Sequence, residues 1–327
     1  MNFLLYIPII LFFCFILVKA VDQVIIGLHH LALKNHINLF ATTAILMALA
    51  TSIPELSVAL TAGLQGVPNL SLGNVIGANI ANLTFVIGLA TLLTGSMAVR
   101  GSLLNREIYL GFAAGCAPLF LLLDGSLSRI DAVVLLIVYA AYATSLFRSS
   151  YQKIAAQIQH PGEGALWRKI GSDIQTVSGE GKDLIRLLLG LALMILSADI
   201  IIRLASRLAD SANIPQFIVG LILLALGTTL PELAFSIKVL RDRTISMFYG
   251  NILGSIIANS TLIIGIAALL SPIQVKDLSE YAIATGVFVL AFFLLWFFVR
   301  SKHRLDRIEA AVLFSLYFIF VLVELVF

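Results

Sequence analysis

Long apolar runs alternate with short polar breaks along the whole chain. A membrane-spanning helix needs about 20 mostly apolar residues. Ten such segments can be laid out, near 3–27, 38–64, 70–95, 106–123, 130–148, 184–209, 215–240, 245–270, 278–299 and 307–327. Their apolar positions are continuous and not alternating, which excludes the strands of a closed membrane barrel. The pattern predicts an all-α membrane protein of ten transmembrane helices. The run from Phe3 to Val18 lacks a basic flank and a small-residue cleavage site, so it is assigned as the first membrane helix and not as a signal peptide.

Composition strengthens this picture. Hydrophobic residues make up 60% of the 327 positions, charged residues only 12%, and the mean hydropathy is +1.03. Soluble domains carry roughly 25% charged residues. The formal charge of +3 is spread thinly, with no basic patch for nucleic acid. Cys14 and Cys116 both fall in apolar runs and read as small core side chains, not as a disulfide or a metal site.

Charge also orients the chain, because short cytoplasmic loops collect Lys and Arg. With the N-terminus outside, the inner loops and helix ends hold sixteen of the 21 basic residues. The outer ones hold four, Arg129, Arg203, Arg207 and Lys276, and Lys19 lies within helix 1. Both termini are therefore expected on the outer face of the cytoplasmic membrane. The segment 149–183 is polar and punctuated by His160-Pro161-Gly162-Glu163-Gly164 and Gly179-Glu180-Gly181. It is expected to be a cytoplasmic linker, and at about 35 residues it is short for a regulatory domain.

Self-similarity divides the chain. A shift of 177 places ATSIPEL (50–56) on GTTLPEL (227–233), GNVIGANIANLT (73–84) on GNILGSIIANST (250–261), and Asp22 on Asp199. A weaker echo, one residue out of register, sets SRIDA (128–132) against DRIEA (306–310). The expected units are a five-helix repeat over 1–148, the linker, and a second five-helix repeat over 184–327. Five is odd, so the second copy enters the membrane from the opposite face. Such inverted repeats are common in secondary transporters, with the substrate near the midplane where the copies meet.

The motifs carry chemistry at that depth. Helices 2 and 7 contain Thr51-Ser52-Ile53-Pro54-Glu55 and Thr228-Thr229-Leu230-Pro231-Glu232. Each proline removes an N–H and collides with the carbonyl four residues back. The helices are expected to break at Pro54 and Pro231, freeing the carbonyls of about Ala50 and Gly227. In a bilayer a freed carbonyl needs a partner, and a hard cation is one. Glu55 and Glu232 fall near mid-span, where an ionised carboxylate is costly. Repeated beside proline and hydroxyls, they read as a cation site and not as packing.

Helices 3 and 8 supply an opposing wall. Gly73, Gly77 and Ala81, repeated as Gly250, Gly254 and Ala258, form small-residue stripes that read as close helix packing. Asn82 and Asn259 lean toward the ion site. Asn74 and Asn251 lean toward bonding the broken helices. Asp22 and Asp199 read as structural hydrogen bonds or salt bridges. His29, His30 and His36 lack the spacing of a helical zinc motif.

Taken together, ATSIPELSVAL with GNVIGANIAN, and GTTLPELAFSI with GNILGSIIAN, resemble the two α-repeats of the calcium/cation antiporter superfamily, which includes sodium/calcium exchangers. The compact size is similar to that of prokaryotic members. The resemblance implies that Glu55, Glu232, Thr51 and Thr228 hold Ca²⁺. It implies that Ser52, Thr229, Ser255 and the carbonyls of Ala48 and Ala225 line flanking Na⁺ sites, and that Asn82 and Asn259 close the ring. Many sodium-coupled relatives carry Asp in place of Asn259 and Ser in place of Ala78, so this ring has two carboxylates and one flanking site lacks a hydroxyl.

The implied activity is exchange of Ca²⁺ for Na⁺ by alternating access, with H⁺ the alternative counter-ion and a cation channel a further one. The implied partners are inorganic cations and lipid. No enzyme activity and no cofactor are expected.

Overall fold

The computed structural model describes residues 5–34, 52–95, 97–98, 102–157, 180–241, 245–275, 278–302 and 304–326. Among them the chain is mostly helical. Helix α1 is Tyr6–Lys34, α2 is Ile53–Leu64 and α3 is Pro68–Thr94. Helix α4 is Ser102–Leu121, α5 is Arg129–Gln157 and α6 is Glu180–Ala212. Helix α7 is Gln216–Arg241. Helix α8 runs as Ile245–Ile257, a π-helical turn Ala258–Ile263, and Ile264–Leu270. Helix α9 is Leu278–Lys302 and α10 is Arg307–Val326. Four two-residue strands lie between helices: β1 Met97–Ala98, β2 Ser126–Leu127, β3 Ile273–Gln274 and β4 Arg304–Leu305.

Among the described residues, 7 helical stretches are long and apolar enough to cross a membrane, and Tyr6–Ala20 and Ile53–Leu64 are shorter apolar helices. Large apolar side chains point outward on several of these stretches, with Phe120 70% and Ile308 80% exposed. That is the surface of a protein solvated by hydrocarbon. Most of the expected segment 38–64, including Ala48, Ala50 and Thr51, lies outside the described residues, as does His36.

Helix ends differ from those the hydropathy predicts. Helix α5 continues to Gln157 and α6 begins at Glu180, so helix occupies both ends of the expected linker. Nothing in Ser149–Gln157 breaks a helix, and backbone helix need not stop where its apolar face does. The starts of α5 and α10 explain the SRIDA and DRIEA echo. Ser128 donates its backbone N–H to Asp131 Oδ2 at 2.8 Å, and the Asp131 N–H returns to Ser128 Oγ at 3.3 Å. Asp306 donates likewise to Glu309 Oε2 at 2.9 Å. Both are helix N-caps that satisfy first-turn donors.

Two packed clusters form the interior. The smaller joins Ile10, Cys14 and Leu17 of α1 to Ile201, Ala205 and Leu208 of α6. The larger holds α3, α8 and the inward faces of α4, α5, α7, α9 and α10, and contains Cys116. Asp22 stands 3.6 Å from Lys19. Asp199 takes Arg203 at 2.8 Å and Gln65 at 2.7 Å, so both aspartates make surface polar bonds.

The two copies interlock. Gly73 and Gly77 of α3 lie so close to α7 that a Cβ on either would collide with the carbonyls of Phe217 and Leu221. Only glycine permits this backbone contact. Gly88 of α3 meets Ala310 and Phe314 of α10, and Gly265 of α8 meets Ala132 and Leu136 of α5. These are equivalent contacts one repeat apart. Strand β1 pairs antiparallel with β4, Met97 opposite Leu305, and β2 with β3, Leu127 opposite Ile273. Arg129 adds a bond from its side chain to the carbonyl of Leu269 at 3.3 Å.

Candidate functional site

Ser52 and Thr229 occupy equivalent places and the same local conformation. Their φ and ψ angles are −94° and 3° for Ser52 and −85° and 0° for Thr229. This is the sparsely populated bridge region between helix and strand. Each precedes a fresh helical start, Ile53 on α2 and Leu230 on α7, with Pro54 and Pro231 in the next position. Leu56 N–H reaches the carbonyl of Ser52 at 3.0 Å, and Leu233 N–H that of Thr229 at 3.1 Å. Glu55 and Glu232 thereby sit in the first turn of their helices. Acidic side chains are favoured there by the helix dipole.

Both carboxyls are completely buried, with side-chain exposure of 0%, and none of their four oxygens has a protein hydrogen-bond partner. They lie close enough to repel each other, and the Thr228 side chain lies beside the Glu55 carboxyl. Buried polar atoms are nearly always bonded. Protons or a metal ion would satisfy such an unpartnered carboxyl pair.

The walls are built from π-helical turns, each carrying one extra residue per turn. Asn82–Val86 interrupts α3 and Ala258–Ile263 interrupts α8. Such turns concentrate at functional sites. The helix of Glu55 packs on the α8 turn, and that of Glu232 packs on the α3 turn. Asn82 is the first residue of its turn and Asn259 the second of its own, and both are buried. Both amide atoms of Asn82, and the oxygen of Asn259, lack protein partners. Ser52 Oγ is also buried and unpartnered.

The remaining expected residues divide. Thr228 Oγ1 donates to Asn74 Oδ1 at 3.2 Å, so Asn74 ties the turn before Pro231 to α3. Thr229 Oγ1 donates to the carbonyl of Ala225 at 2.9 Å. That carbonyl also accepts the Thr229 N–H at 3.1 Å, so Ala225 is engaged by protein donors. Ser255 and Ala78 are fully buried on α8 and α3, and Asn251 is buried on α8. Thr51 and Ala48 lie outside the described residues.

Two residues of the wall escape a reading by paired motifs. Asn79 Nδ2 donates to Ser260 Oγ at 2.8 Å, and Asn259 Nδ2 donates to Asn79 Oδ1 at 3.1 Å. Position 79 aligns with Ile256 and position 260 with Leu83, so a search for duplicated polar residues passes over both. A plain count of asparagines in the apolar run of α3 would have found Asn79.

Taken as chemistry, the arrangement offers two carboxylates, amide oxygens and hydroxyls in a dry interior. That is an oxygen-rich set suited to a hard cation.

The sodium/calcium exchanger protein family model matches residues 5–148 and 182–326. The inner membrane protein YrbG of Escherichia coli (strain K12) is 30% identical over 253 residues, covering 76% of each chain. The sodium/calcium exchanger MaX1 of Methanosarcina acetivorans is 28% identical over 335 aligned positions, covering 94% of this chain and 95% of that one. Among solved structures, the sodium-calcium exchanger NCX_Mj superposes with a TM-score of 0.59 at 24% identity, covering 98% of this chain and 97% of that one. This last likeness concerns the fold.

Proposed function

This chain belongs to the sodium/calcium exchanger protein family, and on that premise we propose that it exchanges Ca²⁺ for Na⁺ across the cytoplasmic membrane by alternating access. The family is one of membrane transporters, not an enzyme class. In this reading ten helices form two inverted halves, 1–148 and 184–327, with helices 2 and 7 broken at Pro54 and Pro231. Both termini face outward, and 149–183 lies in the cytoplasm. Glu55, Glu232, Thr51 and Thr228 hold Ca²⁺. Ser52, Thr229, Ser255 and the carbonyls of Ala48 and Ala225 serve Na⁺, and Asn82 and Asn259 complete the ring.

The observation that carries the reading is the pair of fully buried carboxyls without protein partners, on helices packed against the turns that hold the unpartnered amide oxygens of Asn82 and Asn259. Coupling follows from charge. An empty site with both carboxylates ionised would drag two negative charges through a low-dielectric barrier, at several kcal/mol each. One Ca²⁺, two Na⁺ or two protons neutralise it, so loaded forms interconvert and the empty form does not.

H⁺ is the rival counter-ion. It is favoured by Asn259, whose amide leaves a ring of two carboxyls, enough for two protons. The deciding experiment is ⁴⁵Ca²⁺ efflux from proteoliposomes with Na⁺, K⁺ and H⁺ gradients imposed one at a time. Efflux driven by Na⁺ alone is the expected result. Efflux driven by pH alone replaces Na⁺ with H⁺, and efflux needing no gradient of any counter-ion points to a channel and removes the exchanger reading.

A further inference from the structure

We propose that Asn79 is a positioning residue that turns the oxygen of Asn259, and not its NH₂ group, into the ion site. The inference rests on the reading of that site as one for Ca²⁺. A primary amide has a donor end and an acceptor end. The donor end of Asn79 is committed to Ser260 Oγ at 2.8 Å. Only its oxygen is therefore offered to Asn259, which meets it with Nδ2 at 3.1 Å. The Asn259 oxygen is left buried and without a protein partner.

All three side chains are nearly or fully buried, Asn79 at 3% exposure. Water is thus a poor substitute for any of these bonds. If the Asn259 amide turned over, two amide oxygens would face each other in a dry interior. An N–H donor would then stand where a cation needs an acceptor, and could bond a site carboxylate in the cation's place.

The relay exists on one side only. The counterparts of Asn79 and Ser260 are Ile256 and Leu83, and Asn82 has no protein partner at either amide atom. A polar residue serving general α3–α8 packing would be expected in both copies. This one serves the single asparagine that it touches.

The test uses the purified full-length protein in detergent and ⁴⁵Ca²⁺ equilibrium binding. Asn79→Leu, close to the native size, weakens binding about tenfold by freeing the Asn259 amide to turn. In an Asn259→Asp background both outer atoms are acceptors, so orientation no longer matters and Asn79→Leu costs nothing further. A purely structural Asn79 would cost the same in both backgrounds, so equal loss in the two overturns the proposal.

Unchanged binding by Asn79→Leu overturns it as well. Should Asn79→Leu fail to fold, Ser260→Ala releases the donor end of Asn79, and a roughly threefold weakening is expected. Unaltered binding there has the same adverse meaning. A wild-type protein that binds no Ca²⁺ removes the divalent reading and this inference with it.

Discussion

Asn82 and Asn259 stand at the same place in two copies of one motif, each near the start of a π-helical turn, yet their surroundings differ. Asn259 is held by Asn79, which is held in turn by Ser260. Neither amide atom of the Asn82 side chain has a protein hydrogen-bond partner. The backbone has kept the duplication while the polar side chains around it have diverged. Proline position and the helix crossing at Gly88 and Gly265 recur one repeat apart, but the expected close packing of the second small-residue stripe does not: Gly250 and Gly254 meet no backbone like that which Gly73 and Gly77 press on. Nor do the hydrogen bonds that orient the ligands recur. Equivalent positions therefore need not do equivalent work.

The glutamates are where the copies should agree. Glu55→Gln and Glu232→Gln each remove one of two charges from a buried pair, and each is expected to lower Ca²⁺ transport in proteoliposomes by at least ~100-fold. Near-normal transport by either variant would break the symmetry at its most important point.

Packing should show a moderate difference. A Cβ on Gly88 would stand 2.8 Å from the carbonyl of Ala310 and from the backbone nitrogen and Cβ of Phe314. On Gly265 it would meet Cγ and Cδ2 of the Leu136 side chain at 3.0 and 3.1 Å, with the carbonyl of Ala132 further off at 3.2 Å. A side chain yields where backbone does not. Gly88→Ala should cost about 1–3 kcal/mol and Gly265→Ala under about 1 kcal/mol. Melting of the detergent-solubilised protein measures both, and equal losses would show that the two helix crossings are tighter twins than they look.

The smallest effect comes from repairing the asymmetry. Ile256→Asn places in the second copy what Asn79 is in the first. It should restrain Asn82 and tighten Ca²⁺ binding roughly threefold, at a cost near ~2 kcal/mol in stability for the buried amide. Weaker or unchanged binding would show that Asn82 works best unrestrained.

Much of this was legible in the sequence. All ten apolar segments have helical counterparts, the second of them described only from Ile53 onward. The repeat located Glu55 and Glu232 because a carboxylate in an apolar run is conspicuous. Asn74 was expected to bond the broken helices, and it takes the Thr228 hydroxyl.

What stayed hidden has physical reasons. The π-helical turns at Asn82–Val86, Gly220–Leu224 and Ala258–Ile263 leave hydropathy unchanged, since one extra residue per turn in an apolar run alters no composition. Strands of two residues lie below any periodicity. The bond from Asn79 to Ser260 joins residues 181 positions apart, and its members have apolar counterparts. Helix α5 outlasts its apolar run because the residues beyond Arg148 still favour helix.

The short strands also bear on how the chain is made. Met97 pairs with Leu305 and Leu127 with Ile273, so each half closes its strand pairs with residues of the other. A ribosome that has finished the first half has produced neither partner strand. β2 (Ser126–Leu127) must wait for β3 (Ile273–Gln274), and β1 (Met97–Ala98) for β4 (Arg304–Leu305), the second wait being the longer. During that interval the early helices reside in the bilayer with the edges of β1 and β2 unpaired. The last helices to be inserted lock the first.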